Sequence, residues 1–309
     1  MFEISVIICS YNPRKEYLQR ALNALKVQSL SFDKWQLLLV DNASEKELST
    51  DWDLSWHPNA NHFRENKLGL THARIKGIES AEGKLLVFVD DDNILAADFL
   101  ETSLIIASNN PFIGVFGGKL IAEYEVIPPA WLKPYQSILA VRELERNVWS
   151  NLYQWETTPA GAGMVIKSEI AKIYAQNSST HPLKKMLDRK GNNTLSGGDN
   201  DMVFTAIDMG FGSGRFKELS LIHIIPKQRL EEKYLFKLYE GILTSKYILE
   251  SVRTPDYKLP QINPFKQMLY RINRLLFKSS IEFKLGEVRI GALKKARKIL
   301  NECKNVSDL

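Results

Sequence analysis

Three short apolar runs in the first third of the chain each end in a polar cluster. Ile4–Cys9 (ISVIIC) leads into Ser10-Tyr11-Asn12, Gln36–Val40 (QLLLV) into Asp41-Asn42, and Leu85–Val89 (LLVFV) into Asp90-Asp91-Asp92-Asn93. Runs this continuous, without the polar alternation of a half-exposed strand, are buried on both faces, the condition of parallel strands covered by helices. The segments between them supply the helices. Glu16–Gln28 puts Leu18, Ala21, Leu22 and Leu25 on one face, Leu70–Ser80 is helical up to the break at Gly83, and a helix near Ala97–Ser108 precedes a strand near Phe112–Phe116. This alternation predicts an α/β fold with a mostly parallel central sheet flanked by helices. In such open sheets ligands bind beyond the carboxyl ends of the strands. The three polar clusters occupy those ends, so they mark one site.

Several classes of protein drop out. The two cysteines, Cys9 and Cys303, stand at opposite ends of the 309 residues and form neither a disulfide framework nor a zinc spacing, which suits a reducing compartment. Met1–Ser10 carries Glu3 and lacks the pattern of a signal peptide. No stretch reaches the roughly 18 apolar residues of a membrane span. A soluble, cytoplasmic protein is therefore expected. There is no G-x-G-x-x-G after the first strand and no G-x-x-x-x-G-K-[ST], so dinucleotide oxidoreductases and P-loop NTPases lose their main support.

The middle of the chain, 122–159, is rich in proline and aromatic residues, a composition more typical of a binding loop than of scaffold. Trp131, Tyr135, Trp149 and Trp155 could stack on the rings of a ligand or pack the excursion onto the sheet. Gly161 and Gly163 precede a strand at Met164–Ile166, where something approaches the backbone closely or crowding is relieved. Gly197-Gly198-Asp199-Asn200-Asp201 opens a helix over Met202–Met209. From Pro226 onward the pattern is helical and basic. Between Pro264 and Leu300 ten Lys or Arg stand against two acids, about +8, so the net +5 of the whole chain conceals a slightly acidic remainder. There, Leu269, Ile272, Leu275 and Leu276 share a helical face that Lys266, Arg271, Arg274 and Lys278 largely avoid, and a further basic helix runs near Val288–Leu300.

Asp90-Asp91-Asp92 carries the clearest chemistry. In extended chain, positions i and i+2 share a side, so Asp90 and Asp92 can present oxygens to one divalent cation. Hard oxygen ligands at an open site suit Mg2+ or Mn2+ held jointly with substrate phosphates. The bland alternative is a solvated acidic turn. Asp41 alone says less: it could accept hydrogen bonds from a ribose or base, or form an Asx-turn with Asn42. Asp199 could equally be a plain helix cap.

Taken together these segments resemble glycosyltransferase family 2, inverting nucleotide-sugar transferases of the Rossmann-like GT-A fold. The likeness runs from about Ile4 to Pro226, through SVIICSYNP, LLLVDNAS, ENKLGLTHARIKGIESAEGKLLVFVDDDN, GAGMVIKSE and SGGDNDM. It implies a GT-A domain over 1–225, with 122–159 as its acceptor-side excursion and 226–309 as a basic helical extension outside the match. It further implies that Ser10, Tyr11 and Asn12 form the nucleoside-binding turn, that Asp41 pairs with the base, and that Arg74 lies near the nucleotide. Asp90 would touch ribose or metal, Asp92 would hold the metal on the diphosphate, and Asp91 would point away. Asp199 falls on the catalytic-base position, usually preceded by Glu where this chain has Gly198, with Asp201 its neighbouring competitor. His223 sits where some relatives supply a third metal ligand or phosphate contact, although a histidine between apolar residues is more often simply packed.

The chemistry accords with that assignment. Inverting transfer needs one carboxylate to deprotonate the acceptor hydroxyl and positive charge to receive the departing diphosphate, which Mn2+ or Mg2+ would supply. The resemblance thus implies transfer from a nucleotide-sugar, with UDP-sugar foremost, to a glycan or lipid-linked acceptor of polysaccharide or lipopolysaccharide synthesis. A sugar-phosphate nucleotidyltransferase would want a glycine-rich loop that Ser10–Arg14 lacks. A non-catalytic nucleotide-sugar-binding or membrane-docking protein would have no use for both Asp92 and Asp199. The basic extension is read first as a cover with a solvated face, next as a contact with the anionic inner face of the plasma membrane. Nucleic acid is not an expected partner.

Overall fold

The computed structural model describes residues 2–307 apart from 192, 255, 262, 266, 270, 271 and 273–279. Its N-terminal half is a parallel block in the order β3-β2-β1-β4, formed by β1 (Ile4–Ser10), β2 (Trp35–Asp41), β3 (Ala60–Arg64) and β4 (Leu85–Val89). Every residue of β2 and β4 is buried, as the unbroken apolar runs require. The register sets Ser10 beside Asp41, and Ile8 beside Val89, so the three polar clusters end level with one another. Helices α1 (Lys15–Lys26), α3 (Leu70–Glu79) and α4 (Phe99–Asn109) connect the strands; a single turn, α2 (Leu48–Asp51), follows β2. On one face of the sheet Leu18, Leu22 and Leu25 of α1 pack over Val6, Leu37 and Val87, and on the other Ala73 and Ile78 of α3 pack over Ile7 and Leu38. Gly77 lets α3 settle onto the strands, because a Cβ there would lie 2.5 Å from Ile7.

Beyond β4 the sheet is mixed. β8 (Met164–Lys167) runs antiparallel between β4 and β6 (Ile113–Tyr124), and β6 pairs in parallel with β9 (Gly212–Ile225). The short strands β5 (Asn93–Leu95) and β7 (Val148–Ser150) both run antiparallel to β9. The β5–β9 pairing sets Asn93 opposite His223 and so carries a histidine from far along the chain to the acidic turn. β6 extends to Tyr124, so the aromatic excursion begins as a continuation of a core strand.

The excursion then forms a 3-10 stretch, Ala130–Leu139. Its Leu132 and Leu139 are buried with Ile225, Leu230, Leu235 and Leu238, the last two from α7 (Glu232–Arg253), and Trp131 and Tyr135 pack at the margin of that cluster. α5 (Ser168–Thr180) and α6 (Gly198–Asp208) lie on the α3 face of the sheet, and α8 (Ile281–Ser307) packs along α7, with Lys284 on Glu232 at 2.6 Å. Of the basic segment, Lys266, Arg271, Arg274, Leu275, Leu276 and Lys278 lie outside the described residues, while Leu269 and Ile272 are exposed. Among the described residues no helix is long and apolar enough to cross a membrane.

Candidate active site

A cleft of about 400 Å3 opens at the carboxyl ends of β1 and β4. Ser10, Tyr11, Asn42, Asp90, Asp91 and Asp92 line one wall, and Arg74, Asp188 and Asp199 line the other; Arg142, Trp155 and Thr158 border it on the side of the excursion.

The acidic turn is held by Asn93, whose Oδ1 accepts the Asp90 amide at 3.1 Å and whose Nδ2 donates to Asp92 Oδ1 at 3.1 Å. Asp92 faces His223, near the end of β9, and Arg229, just beyond it. Arg229 Nη1 lies 3.0 Å from Asp92 Oδ2 and 3.1 Å from His223 Nε2, which is itself 3.7 Å from the same carboxylate oxygen. Burial pushes the Asp92 carboxyl up, but His223 and Arg229 outweigh it and hold it at about 2. Its neighbours lack that compensation. Burial, then repulsion from Asp92, raises Asp91 to about 7 and raises Asp90 as well. Asp91 accepts a hydrogen bond from the Ser10 hydroxyl and lines the cleft. The expectation that it points away is corrected: β1 and β4 are neighbours, so the end of one meets the turn after the other.

On the opposite wall Asp199 sits in the first turn of α6, behind the N-cap Gly197. Its Oδ2 accepts the Gly161 amide at 2.9 Å, and its Oδ1 lies 2.7 Å from Arg74 Nη2. A Cβ on residue 161 would stand 2.5 Å from Asp199 Oδ1, so the glycine is what admits the carboxylate. Arg74 also reaches Asp188, Nη1 to Oδ2 at 3.1 Å. Asp188 takes Thr71 Oγ1 at 3.1 Å on the same oxygen and caps α6 by accepting the Gly198 amide at 3.0 Å on the other. A Cβ on residue 198 would come within 2.2 Å of that carboxylate, so Gly198 is the residue that leaves room for Asp188. Burial lowers the Arg74 guanidinium, yet Asp199 and Asp188 more than reverse this and drive it well above its ordinary value. Arg74, expected near the nucleotide, lines the cleft and pairs with Asp199 and Asp188. Asp201 turns away: it is buried on Lys184 at 2.8 Å, outside the cleft lining, and burial raises its carboxyl.

The expected nucleoside side is less open. Asp41 is buried, its Oδ1 accepting the Ser44 amide at 2.8 Å and its Oδ2 paired with Arg64 and the Leu48 amide. Asn12, at φ 46°, donates its backbone amide to the Ser44 hydroxyl oxygen and accepts the Glu45 amide on its side-chain oxygen, while Tyr11 is exposed at the cleft. Of the tryptophans in the excursion, Trp155 lines the cleft, whereas Trp149 packs on Phe112 at 4.7 Å. The sequence reading missed Arg229, Asp188, Arg64 and Arg142. No spacing announces them; each matters because of what the fold sets opposite it.

The donor set suits a small divalent cation. Such ions take one or two carboxylates together with substrate phosphates rather than a full protein cage, and the turn presents three carboxylates, two of which burial and mutual repulsion push upward. A buried His223 Nδ1 without a hydrogen-bond partner stands beside them. Asp90 and Asp92 would hold the ion. Among the described residues no three His, Cys, Asp or Glu side chains already converge as a closed metal site.

The curled sheet, the acidic turn after its central strand and the helix-borne carboxylate opposite define a GT-A-type protein. Residues 5–171, more than half of the chain, match the family model described as Glycosyl transferase family 2, and the chain belongs to that family. A glucosyl-dolichyl phosphate glucuronosyltransferase of Haloferax volcanii is 24% identical over 130 residues, 41% of each chain. Glycosyltransferase AglE of the same organism is 30% identical over 124 residues, 39% of this chain and 40% of that one. The chain thus spans about two fifths of these curated relatives. Among solved structures, S. aureus TarS 1-349 in complex with UDP superimposes with a TM-score of 0.52 at 14% identity, covering 98% of this chain and 92% of that one. The TarS 1-349 complex with UDP-GlcNAc gives 0.52 at 13% identity with the same coverage, which establishes the likeness of fold.

Proposed function

We propose that the protein is a metal-dependent, inverting glycosyltransferase that moves a sugar from a nucleotide donor, foremost a UDP-sugar, to a hydroxyl of a glycan or lipid-linked acceptor. The observation that carries this reading is the opposition of two acidic walls across one cleft, Asp90–Asp92 on one side and the Asp188–Arg74–Asp199 array on the other. Membership of the family supports the reaction class, and the UDP and UDP-GlcNAc complexes of TarS support the donor class.

In this reading Asp199 takes the proton of the acceptor hydroxyl as that oxygen attacks the anomeric carbon. The bond from that carbon to the diphosphate breaks, and its electron pair leaves on the nucleotide. Only one carboxylate is needed, since a single displacement forms no glycosyl-enzyme intermediate. Arg74 and the Gly161 amide hold Asp199 in place before substrate arrives, which saves reorganisation during the reaction. Mn2+ or Mg2+, held by Asp90 and Asp92, would supply Lewis-acid charge to the diphosphate. Arg229 and the exposed Arg189, which also line the cleft, add fixed positive charge on the same side. Cytoplasmic residence and contact of the basic extension with an anionic membrane face belong to the same proposal, since a lipid-linked acceptor lies at such a surface.

Thermal-shift titration with UDP, GDP and dTDP, each with and without Mn2+, tests this directly. UDP with Mn2+ is expected to raise Tm most. Stabilisation by no nucleotide, or equal stabilisation with and without the metal, would refute the reading.

A further inference from the structure

Among the described residues, the cleft contains one arginine, Arg142, with no part in the proposed reaction. Arg142 is anchored by its backbone, exchanging two hydrogen bonds of 3.0 Å with Leu120 of β6, and its guanidinium borders the cleft on the same side as Gly161 and Asp199. Arg74 and Arg229 are each answered by a carboxylate within 3.1 Å, whereas among the described residues no Asp or Glu lies within 4.0 Å of Arg142. One of its five N–H groups donates to the Thr158 carbonyl at 3.0 Å, and its Nε is buried without any partner. Trp155 covers one face of the guanidinium at 4.5 Å and leaves about half of its own surface open. Burial, then the nearby Arg215, pull the Arg142 pKa down to about 10, against a smaller opposing pull from Asp199. Leaving such a group unpaired is costly unless a ligand completes it.

We infer that Arg142 and Trp155 form an acceptor subsite for a sugar or polyol bearing an anionic substituent, a carboxylate or a phosphate ester, one unit away from the hydroxyl presented to Asp199. A planar guanidinium fork suits either anion in bidentate fashion. The open face of the indole takes the ring or chain that carries it. This inference rests on the glycosyltransferase reading and names the substrate class of its acceptor side.

The test uses the full chain loaded with UDP and Mn2+, titrated by calorimetry with three soluble probes: methyl β-D-glucuronide, glycerol 3-phosphate and the neutral methyl β-D-glucoside. At least one anionic probe is expected to bind tenfold or more tightly than the glucoside, and the tighter of the two identifies carboxylate or phosphate as the group. Arg142→Gln should abolish the preference, and Arg142→Lys, which keeps the charge but loses the fork, should leave part of it. Both variants should bind UDP as the wild type does, which also shows that they fold. Equal binding of the three probes to wild type, or an undiminished preference in Arg142→Gln, overturns the inference. Failure of wild type to bind UDP at all would instead overturn the reading on which it rests.

Discussion

The two walls of the cleft use the same side chains, carboxylates set against guanidinium groups, in opposite balance. On the β4 side three aspartates share Arg229 and the neighbouring His223, and only Asp92 is compensated; burial lifts Asp91 to about 7 and Asp90 upward. On the α6 side Asp188 and Asp199 divide Arg74 between them, the backbone amides of Gly198 and Gly161 donate to one oxygen of each, and Asp199 Oδ1 meets Arg74 as an ion pair without a hydrogen bond. The first wall is short of positive charge and is completed by what binds there. The second is neutralised in part by Arg74 and is already arranged. A site that must accept a metal and a nucleotide, yet present a base in one orientation, calls for that division.

The largest effect should come from the base. Asp199→Asn keeps the shape and the contact with the Gly161 amide but removes the proton acceptor, so turnover should fall by about 10^3-fold. Binding of UDP with Mn2+ should stay within about twofold, because the direct partners of Asp199 are Arg74 and the Gly161 amide and not the acidic turn. Equal loss of binding and turnover would show that the α6 wall is not independent of the β4 wall. Next comes Asp92→Ala, expected to weaken UDP binding in the presence of Mn2+ by about 100-fold. Chelation by EDTA should bring wild type down to the same affinity and change the variant no further. A variant that still responds to EDTA would place the metal elsewhere.

Between these two walls the sequence was unequally informative. β1, β2 and β4 are legible because both of their faces are buried, and the carboxyl-end rule then locates Asp90–Asp92. β3 escapes notice as a polar edge strand, β5 because it has three residues, and β9 because Lys217 and Glu218 interrupt its apolar pattern. The acidic turn could therefore be read, with His223 set near it by the resemblance, but Arg229 could not: it arrives only through the β5–β9 pairing. Asp199 stood out by its place at a helix start. Asp188 did not, since nothing local distinguishes it until the fold places it between Arg74 and the α6 N-terminus. The excursion was legible as an excursion, while the division of its aromatic residues between packing and the cleft depends on α7 covering one part and not the other.

Asp188 is where the internal balance of the second wall can be broken without touching the base. Asp188→Asn keeps one oxygen acceptor, sets a donor NH2 against either the Gly198 amide or Arg74 and Thr71, and leaves the charge of Arg74 to Asp199 alone. Turnover is expected to drop by about 10–100-fold through misplacement of Asp199, with UDP binding preserved. Stability should fall by about 1–3 kcal/mol, as for a weakened buried charge-assisted hydrogen bond. Turnover unchanged alongside that loss of stability would make Asp188 a helix cap and nothing more.

The smallest change that should still separate the walls is one methyl group. In Gly161→Ala the amide that donates to Asp199 survives, so no hydrogen bond is deleted. The added Cβ would lie 2.5–2.6 Å from the carboxylate carbon and both oxygens of Asp199, closer than any real Cβ contact. The carboxylate is held on its other side by Arg74, which is itself buried and fixed by Asp188, so the strain cannot be released by a simple swing of the side chain. Asp199 must shift, and turnover should fall by about tenfold, while UDP affinity is unaltered. Gly210→Ala is the control: residue 210 has φ +85° with nothing within 4 Å of a Cβ, so it should lose about 1–2 kcal/mol of stability and no activity. If the two alanine variants lost stability alike and both kept full turnover, the α6 wall would not owe its function to a fixed geometry, and the contrast between a completed wall and a preset one would fail.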